Sequence, residues 1–234
     1  MEQFLRTQLL IGKESLNKLQ KSRVLVAGLG AVGGWALEAL VRSGVGSFTL
    51  ADFDTVEITN LNRQILATHS TLNIKKTQLA KARVLDINPN CHITAYDIYI
   101  DENTIGSLFG VKPDFVVDAI DSFAPKVKLM SYCYSNGIPI ISSMGAALKT
   151  DPFSIKIDDI SKTRNCRLAS DLRRSLKKQG ILSGIPCVFS TQSPQVKAIV
   201  PPRPARKTLA SMATVTAMFG LHAAHYAIKK ISEN

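Results

Sequence analysis

The 234-residue chain is 45% hydrophobic and 20% charged, with Gly 14 and Pro 10, which excludes a disordered, collagen-like or linker composition. Four cysteines (Cys91, Cys133, Cys166, Cys187) form no CxxC pair, which argues against a structural zinc site and a disulfide scaffold and fits a reducing, cytoplasmic compartment. The net charge of +11 is uneven: residues 1–150 carry 15 Lys/Arg against 13 Asp/Glu, and residues 151–234 carry 14 against 5. A positive field confined to one part points to a polyanionic partner, nucleic acid first, where a solvated basic surface is the plainer alternative.

Residues 1–20 contain no apolar signal region. A strand is predicted at 23–27, running into Gly28-Leu-Gly30-Ala31-Val-Gly33-Gly34. A helix over 35–42, closed by Ser43-Gly44, leads to a strand over 48–52. A long connection, 60–70, precedes a helix over about 74–87 that stops at Asn88-Pro89-Asn90. Strands follow at 92–99, 115–120 and 138–143, with helices at 102–109 and 124–135. This alternation predicts an α/β fold of Rossmann-like type: a doubly wound, mostly parallel sheet with helices on both faces.

The pattern changes past residue 150. A strand over 154–157 precedes a basic helix over 167–179, a flexible loop over 180–186, a strand over 187–191 and a proline-rich basic stretch over 194–206. No linker precedes this part, so residues 1–234 read as one domain: a core of about 20–150 and a decorated C-terminal elaboration of 151–234. The stretch 208–228 is uncharged, long enough to cross a bilayer and flanked by Lys207 and Lys229-Lys230. Its Ser211, Thr214, Thr216, His222, His225 and Tyr226 favour a buried or dimer-interface helix over membrane association.

The motif Gly28-x-Gly30-x-x-Gly33 sits between a strand and a helix, the setting in which bare backbone approaches a phosphate or ribose at a helix N-terminus. Asp52 ends the next strand, where a carboxylate accepts bonds from ribose hydroxyls. These residues predict a nucleotide without separating NAD from ATP, and a tight packing turn would use the same glycines. The following segment, from Asp52 and Asp54 to Asn60, Asn62, Arg63 and Gln64, is dense in polar groups. A nicotinamide has no use for Arg63 and Lys76 there, whereas a triphosphate does. Asp121, at the end of a predicted strand, is placed to hold Mg2+ among phosphate and water oxygens.

These motifs, with Asp52-Phe53-Asp54, Asn60-Leu-Asn62-Arg63-Gln64 and Asp118-Ala-Ile-Asp121, resemble the adenylation domain of the ubiquitin-activating-enzyme-like superfamily. The resemblance implies ribose binding at Asp52, magnesium contacts at Asn60 and Asp121, phosphate contacts at Arg63 and Lys76, and Gln64 lining the same site. It also implies that Arg6, in the leading segment Arg6-Thr-Gln-Leu-Leu-Ile-Gly12, reaches the ATP of a partner subunit, hence a homodimer. Ala31 stands where a third glycine is common, a change that a backbone contact tolerates. The sulfur-carrier activators of this superfamily usually carry paired CxxC zinc motifs, which are absent here, so no zinc is expected.

The second half is similar to the tRNA threonylcarbamoyladenosine dehydratase branch, through Lys126, Asp151-Pro152, Lys162-Thr163, Arg173, Cys187-Val-Phe-Ser-Thr191 and Lys207-Thr-Leu-Ala-Ser211. Ser122 replaces a common asparagine, and Arg164-Asn-Cys166-Arg167-Leu168 replaces an Asp-Pro-Leu sequence. The branch implies ATP-dependent cyclisation of the modified adenosine through an acyl-adenylate, with tRNA as substrate. Between Lys162 and Lys207 there are 11 Lys/Arg against Asp171 alone, and Arg173, Arg174, Lys177 and Lys178 are the candidate RNA contacts. Cys187 is flanked by apolar Val188 and Phe189, which favours a structural thiol over a nucleophile. The alternatives are an activator of a ubiquitin-like sulfur carrier, with a sulfur-transfer partner protein, and an NAD-dependent oxidoreductase.

Overall fold

The computed structural model describes residues 2–194 and 209–233. Two short helices, α1 (Leu5–Ile11) and α2 (Lys13–Lys21), open the chain and meet at Gly12, whose φ of +85° turns the backbone between them. Neither is among the sequence expectations; α1 buries no side chain, and α2 buries Leu16 and Leu19. Then come β1 (Arg23–Ala27), α3 (Gly33–Arg42), β2 (Ser47–Asp52), α4 (Lys76–Ile87) and β3 (His92–Asp97). They are followed by β4 (Phe115–Asp118), α5 (Phe123–Ser135), β5 (Ile140–Ser143), β6 (Ile155–Asp159), α6 (Arg167–Lys177), β7 (Pro186–Ser190) and α7 (Ala213–Glu233).

All seven strands join one sheet in the order β3-β2-β1-β4-β5-β7-β6. Every pair is parallel except β6 with β7, so the expected doubly wound sheet carries one antiparallel edge strand from the elaboration. Side chains alternate across it. Val24 and Val26 of β1 join Phe48, Leu50 and Val117 under α3, α4 and α7, while Leu25 and Ala27 join Val116, Ile140 and Cys187 under α5 and α6.

Two expectations are corrected. The segment 102–109 is not an α-helix but a single 3-10 turn, Ile105–Phe109. The Asp101 carboxylate accepts the Asn103 and Thr104 amides at 2.8 and 3.0 Å, and Gly106 and Gly110 disfavour propagation. The fourth helix starts at Lys76 rather than near 74, because Ile74 and Lys75 are used in pairing with Thr55 and Val56.

Of the uncharged stretch 208–228, residues 209–212 lie ahead of the helix and residue 208 lies outside the described residues; α7 starts at Ala213, runs past the stretch to Glu233, and is a core helix. Val215, Phe219, Ala223, Ala224 and Ala227 are buried against the sheet and α3. At Gly220 a Cβ would stand 2.4 Å from the Val32 carbonyl oxygen and 2.9 Å from Trp35 Cβ, so the two helices touch backbone to backbone there. No helix among the described residues is long and apolar enough to cross a membrane.

Candidate active site

The carboxyl ends of β1, β2 and β4 bring together most of the residues singled out in the sequence, as expected where a parallel sheet reverses its winding. The three glycines of the motif differ in what they do. Gly28 has φ +87°, and a Cβ there would lie 2.7 Å from the Ala119 carbonyl oxygen. A Cβ on Gly33 would lie 1.7 Å from the Gly28 carbonyl oxygen. Both are required by backbone packing. Gly30 is not: Gln64 Nε2, at 3.7 Å, is the one described atom within 4 Å of its would-be Cβ. Ala31 and Val32 then lead into α3, whose first turn no described side chain caps; the Gly34 amide bonds the Gly30 carbonyl at 3.0 Å, and the amides ahead of it suit a ligand.

Asp52 is buried at the tip of β2. Its Oδ2 accepts the Leu29 amide at 2.6 Å and its Oδ1 the Asp54 amide at 2.8 Å, which ties it to the glycine loop. Burial pushes its carboxyl above the ordinary value, against the opposing pull of the Lys76 ammonium and these two amides. Lys76, also buried, opens α4 and meets Asp54 Oδ2 at 2.8 Å. A cation in a first helical turn opposes the helix dipole, so its placement serves something other than the helix.

The connection between β2 and α4 supplies three more groups. Asn60 is buried, and its Oδ1 accepts the Glu57 amide at 3.2 Å, closing a 3-10 turn. Arg63 Nη1 donates to the Thr59 carbonyl at 2.7 Å and to Asn62 Oδ1 at 2.8 Å. Asn62 in turn donates to the Ser211 carbonyl at 3.0 Å. Gln64 is buried beside Gly30, and its Oε1 has no hydrogen-bond partner among the described residues. An orphaned buried acceptor at this place fits a ligand that brings a hydroxyl or amine donor.

Asp121 projects from the turn after β4, exposed, and accepts the Ser122 hydroxyl at 3.2 Å. Beneath it lie Asp118 and Lys126, both fully buried and paired at 2.9 Å. Sequence reasoning misses this pair as part of a site, using both residues only as motif matches. A clue is available in one dimension, since a lysine four residues into a helix that follows a buried strand is disfavoured locally.

Other expected residues lie elsewhere. Arg6 is exposed on α1, and the nearby Phe4 lies close to Gly44, at the amino-terminal edge of the sheet, so within one chain Arg6 does not join the carboxyl edge. Of the four candidate RNA contacts, Arg173 is turned inward: Nη1 donates to the Thr163 carbonyl at 2.9 Å and to the Thr163 hydroxyl, fastening α6. Arg174 is exposed and pairs loosely with Asp171 at 3.6 Å, and Lys177 and Lys178 are exposed. Lys197, Arg203, Arg206 and Lys207, with the rest of 195–208, lie outside the described residues.

Cys187 is fully buried, and burial pushes its thiol far above the ordinary value, as it does that of Cys133. No group of three His, Cys, Asp or Glu is arranged for a metal among the described residues. A cleft of about 740 Å³ opens at the opposite, amino-terminal edge of the sheet, lined by Phe115, Ile138, Pro186, Tyr226, Lys18 and Lys230 among others, and no predicted site residue lines it.

The chain matches the ThiF family over residues 4–234. It is 47% identical to the tRNA threonylcarbamoyladenosine dehydratase of Bacillus subtilis (strain 168), over 84% of this chain and 77% of that protein. With the Escherichia coli (strain K12) protein of the same name it shares 36% identity over 98% of this chain and 93% of that one. The crystal structure of the E. coli dehydratase TcdA in complex with ATP superposes with a TM-score of 0.91, at 35% identity, covering 99% of this chain and 94% of the other.

Proposed function

The chain belongs to the ThiF family, and we propose that it is an ATP-dependent tRNA threonylcarbamoyladenosine dehydratase. The observation that carries this reading is the geometry around Gly30. Open space at a bare backbone position lies next to the unpartnered Gln64 oxygen, beside an α3 N-terminus that no described side chain caps. A nucleotide satisfies both features: phosphate for the amides, a hydroxyl or amine donor for Gln64. The dehydratase relatives, one of them solved with ATP, supply the substrate class.

A carboxylate is a poor electrophile because its leaving group would be oxide. In the proposed first step, a carboxylate oxygen of the threonyl group attacks the α-phosphorus of ATP. The α–β phosphoanhydride bond breaks, and pyrophosphate leaves. In the second, an atom of the substrate's own urea group attacks the activated carbonyl, the C–O bond to AMP breaks, and a proton passes to solvent. The carboxylate oxygen leaves on AMP, so the nucleoside has lost the elements of one water and closed a ring. An intramolecular closure needs no covalent carrier, which agrees with the buried, strongly protonated Cys187.

The protein's part is to position groups and neutralise charge. Asp52 receives the ribose hydroxyls, and its two amide bonds hold it in register with the glycine loop. Arg63 and Lys76 serve the phosphates, each exchanging a present partner (Thr59 and Asn62, or Asp54) for phosphate oxygens. Mg2+ neutralises phosphate charge when bound, and the exposed carboxylate of Asp121 suits it, since this ion takes few protein ligands. Asn60 contributes mainly by shaping the turn, its oxygen being engaged by Glu57. A homodimer accounts for Leu5, Leu9 and Leu10, exposed together on α1 at 49%, 77% and 85%, and would bring Arg6 to a partner's phosphates. Lys177, Lys178 and Arg174 offer phosphate contacts to tRNA, and the four free cysteines suit a reducing cytoplasm.

The test is incubation with ATP, magnesium and tRNA bearing threonylcarbamoyladenosine, followed by nuclease digestion and nucleoside mass measurement. Loss of one water with matching AMP release is expected. An unchanged nucleoside would overturn the assignment.

A further inference from the structure

The buried pair of Asp118 and Lys126 is costly to form. Lys126 lies in the first turn of α5, where its charge opposes the helix dipole. Both side chains are 0% exposed, and the attraction between two charges seldom repays so complete a loss of hydration. Packing alone would be served as well by methionine and leucine.

The remaining bonds show where the pair acts. Lys126 Nζ donates to the Ile120 carbonyl at 2.9 Å as well as to Asp118 Oδ2. Asp118 Oδ1 accepts the Ile120 amide at 3.1 Å, and its Oδ2 accepts the Ser142 hydroxyl at 2.6 Å. Ile120 is therefore gripped at both its N–H and its C=O. On one side of it, Ala119 presses on Gly28 so closely that a Cβ there would meet the Ala119 oxygen. On the other side stands Asp121, whose exposed carboxylate is steadied by the Ser122 hydroxyl.

We propose that Lys126 is a positioning residue: by holding the Ile120 carbonyl it fixes the 119–121 turn against the glycine loop, and so aims Asp121 at the reacting phosphates without touching substrate itself. The inference rests on the adenylation reading above. It implies that losing Lys126 loosens this turn while the ribose and glycine contacts persist.

The experiment compares K126M with D118N/K126M. The double variant removes both charges; the amide side chain at position 118 can still accept the Ile120 N–H, and its NH2 can donate to the Ser142 oxygen in place of the present bond, so the bond with no replacement is the donor to the Ile120 carbonyl. Hydrogen–deuterium exchange, read without nucleotide or tRNA, should be about tenfold faster at the amides of 119–122, the effect of losing one hydrogen bond, and unchanged in β1 and β2. The kcat of tRNA-dependent pyrophosphate exchange should fall about 100-fold, the cost of a misplaced group, with KM for ATP within about threefold of wild type. Wild-type protection and wild-type kcat in the folded double variant would overturn the proposal. Failure of both variants to fold would overturn it too, because the pair would then be a folding determinant. Absence of pyrophosphate exchange in the wild-type chain would instead count against the adenylation reading, on which the nucleotide-free measurement does not depend.

Discussion

Replacing Gly30 with alanine separates ligand space from packing space. The backbone at Gly30 is outside the left-handed region, and among the described residues a methyl there would meet only Gln64 Nε2, at an ordinary 3.7 Å. Stability should therefore hold or rise slightly, by about 0.4–1 kcal/mol from the stiffer unfolded chain. In a chain of this size that is a few degrees in melting temperature, about 2–4 °C per kcal/mol. Nucleotide binding should suffer, because the methyl stands where a phosphate would approach the amides. Losing one charge-assisted hydrogen bond costs about 1.5–3 kcal/mol, or about 10- to 150-fold in affinity. Calorimetric titration with ATP, alongside thermal melts, measures both. Gly33→Ala is the contrast: its methyl would stand 1.7 Å from the Gly28 oxygen, so the fold itself should fail. A folded Gly30→Ala protein that binds ATP within about twofold of wild type would refute the assignment of that space to phosphate.

Cys187→Ser should keep cyclisation within about threefold of wild type, since the sulfur is buried and held protonated; a folded variant that still adenylates but forms no ring would contradict this. Lys177→Ala with Lys178→Ala should weaken tRNA binding and make the plot of log affinity against log salt shallower by about 1.5, as two lost phosphate contacts require; an unchanged slope would remove α6 from the interface. Adenosine affinity should decline as pH falls through a midpoint above 3.8, because Asp52 must be ionised to accept the ribose hydroxyls and burial raises its carboxyl in the unliganded fold. The linkage has a definite sign. The folded state holds this proton more tightly than the unfolded state, so Asp52 withdraws stability as pH rises from 3.8 through the folded midpoint. Carbon NMR titration of Asp52 locates that midpoint, and a value at or below 3.8 would contradict the account.

The residues legible in sequence share one property: their role depends on near neighbours in the chain. Gly28, Gly33 and Asp52 announce a strand, a loop, a helix and the next strand tip, and the continuous apolar run of β1 suits a strand whose two faces are both buried. What escapes depends on distant contacts. The antiparallel direction of β6 is set by its pairing with β7, Ile155 opposite Ser190, which nothing in the local pattern of either strand specifies. The bond from Arg173 to the Thr163 carbonyl, which fastens α6, likewise leaves no mark in the pattern of that strongly basic helix.

The stretch that forms α7 shows why composition alone stops short. An uncharged run of that length suits a bilayer or a protein core equally well, since both reward apolar surface. The difference lies in what the small residues are for. Gly220 admits the Val32 carbonyl and Trp35 at distances no Cβ would allow, and Ala223, Ala224 and Ala227 are buried further along the same helix. Lipid has no fixed contour that would demand such a match, whereas α3 does, and α3 is the helix whose N-terminus faces the nucleotide edge. The long C-terminal helix is therefore coupled to the candidate site: it braces, from behind, the helix whose free amides the proposed phosphate contacts require.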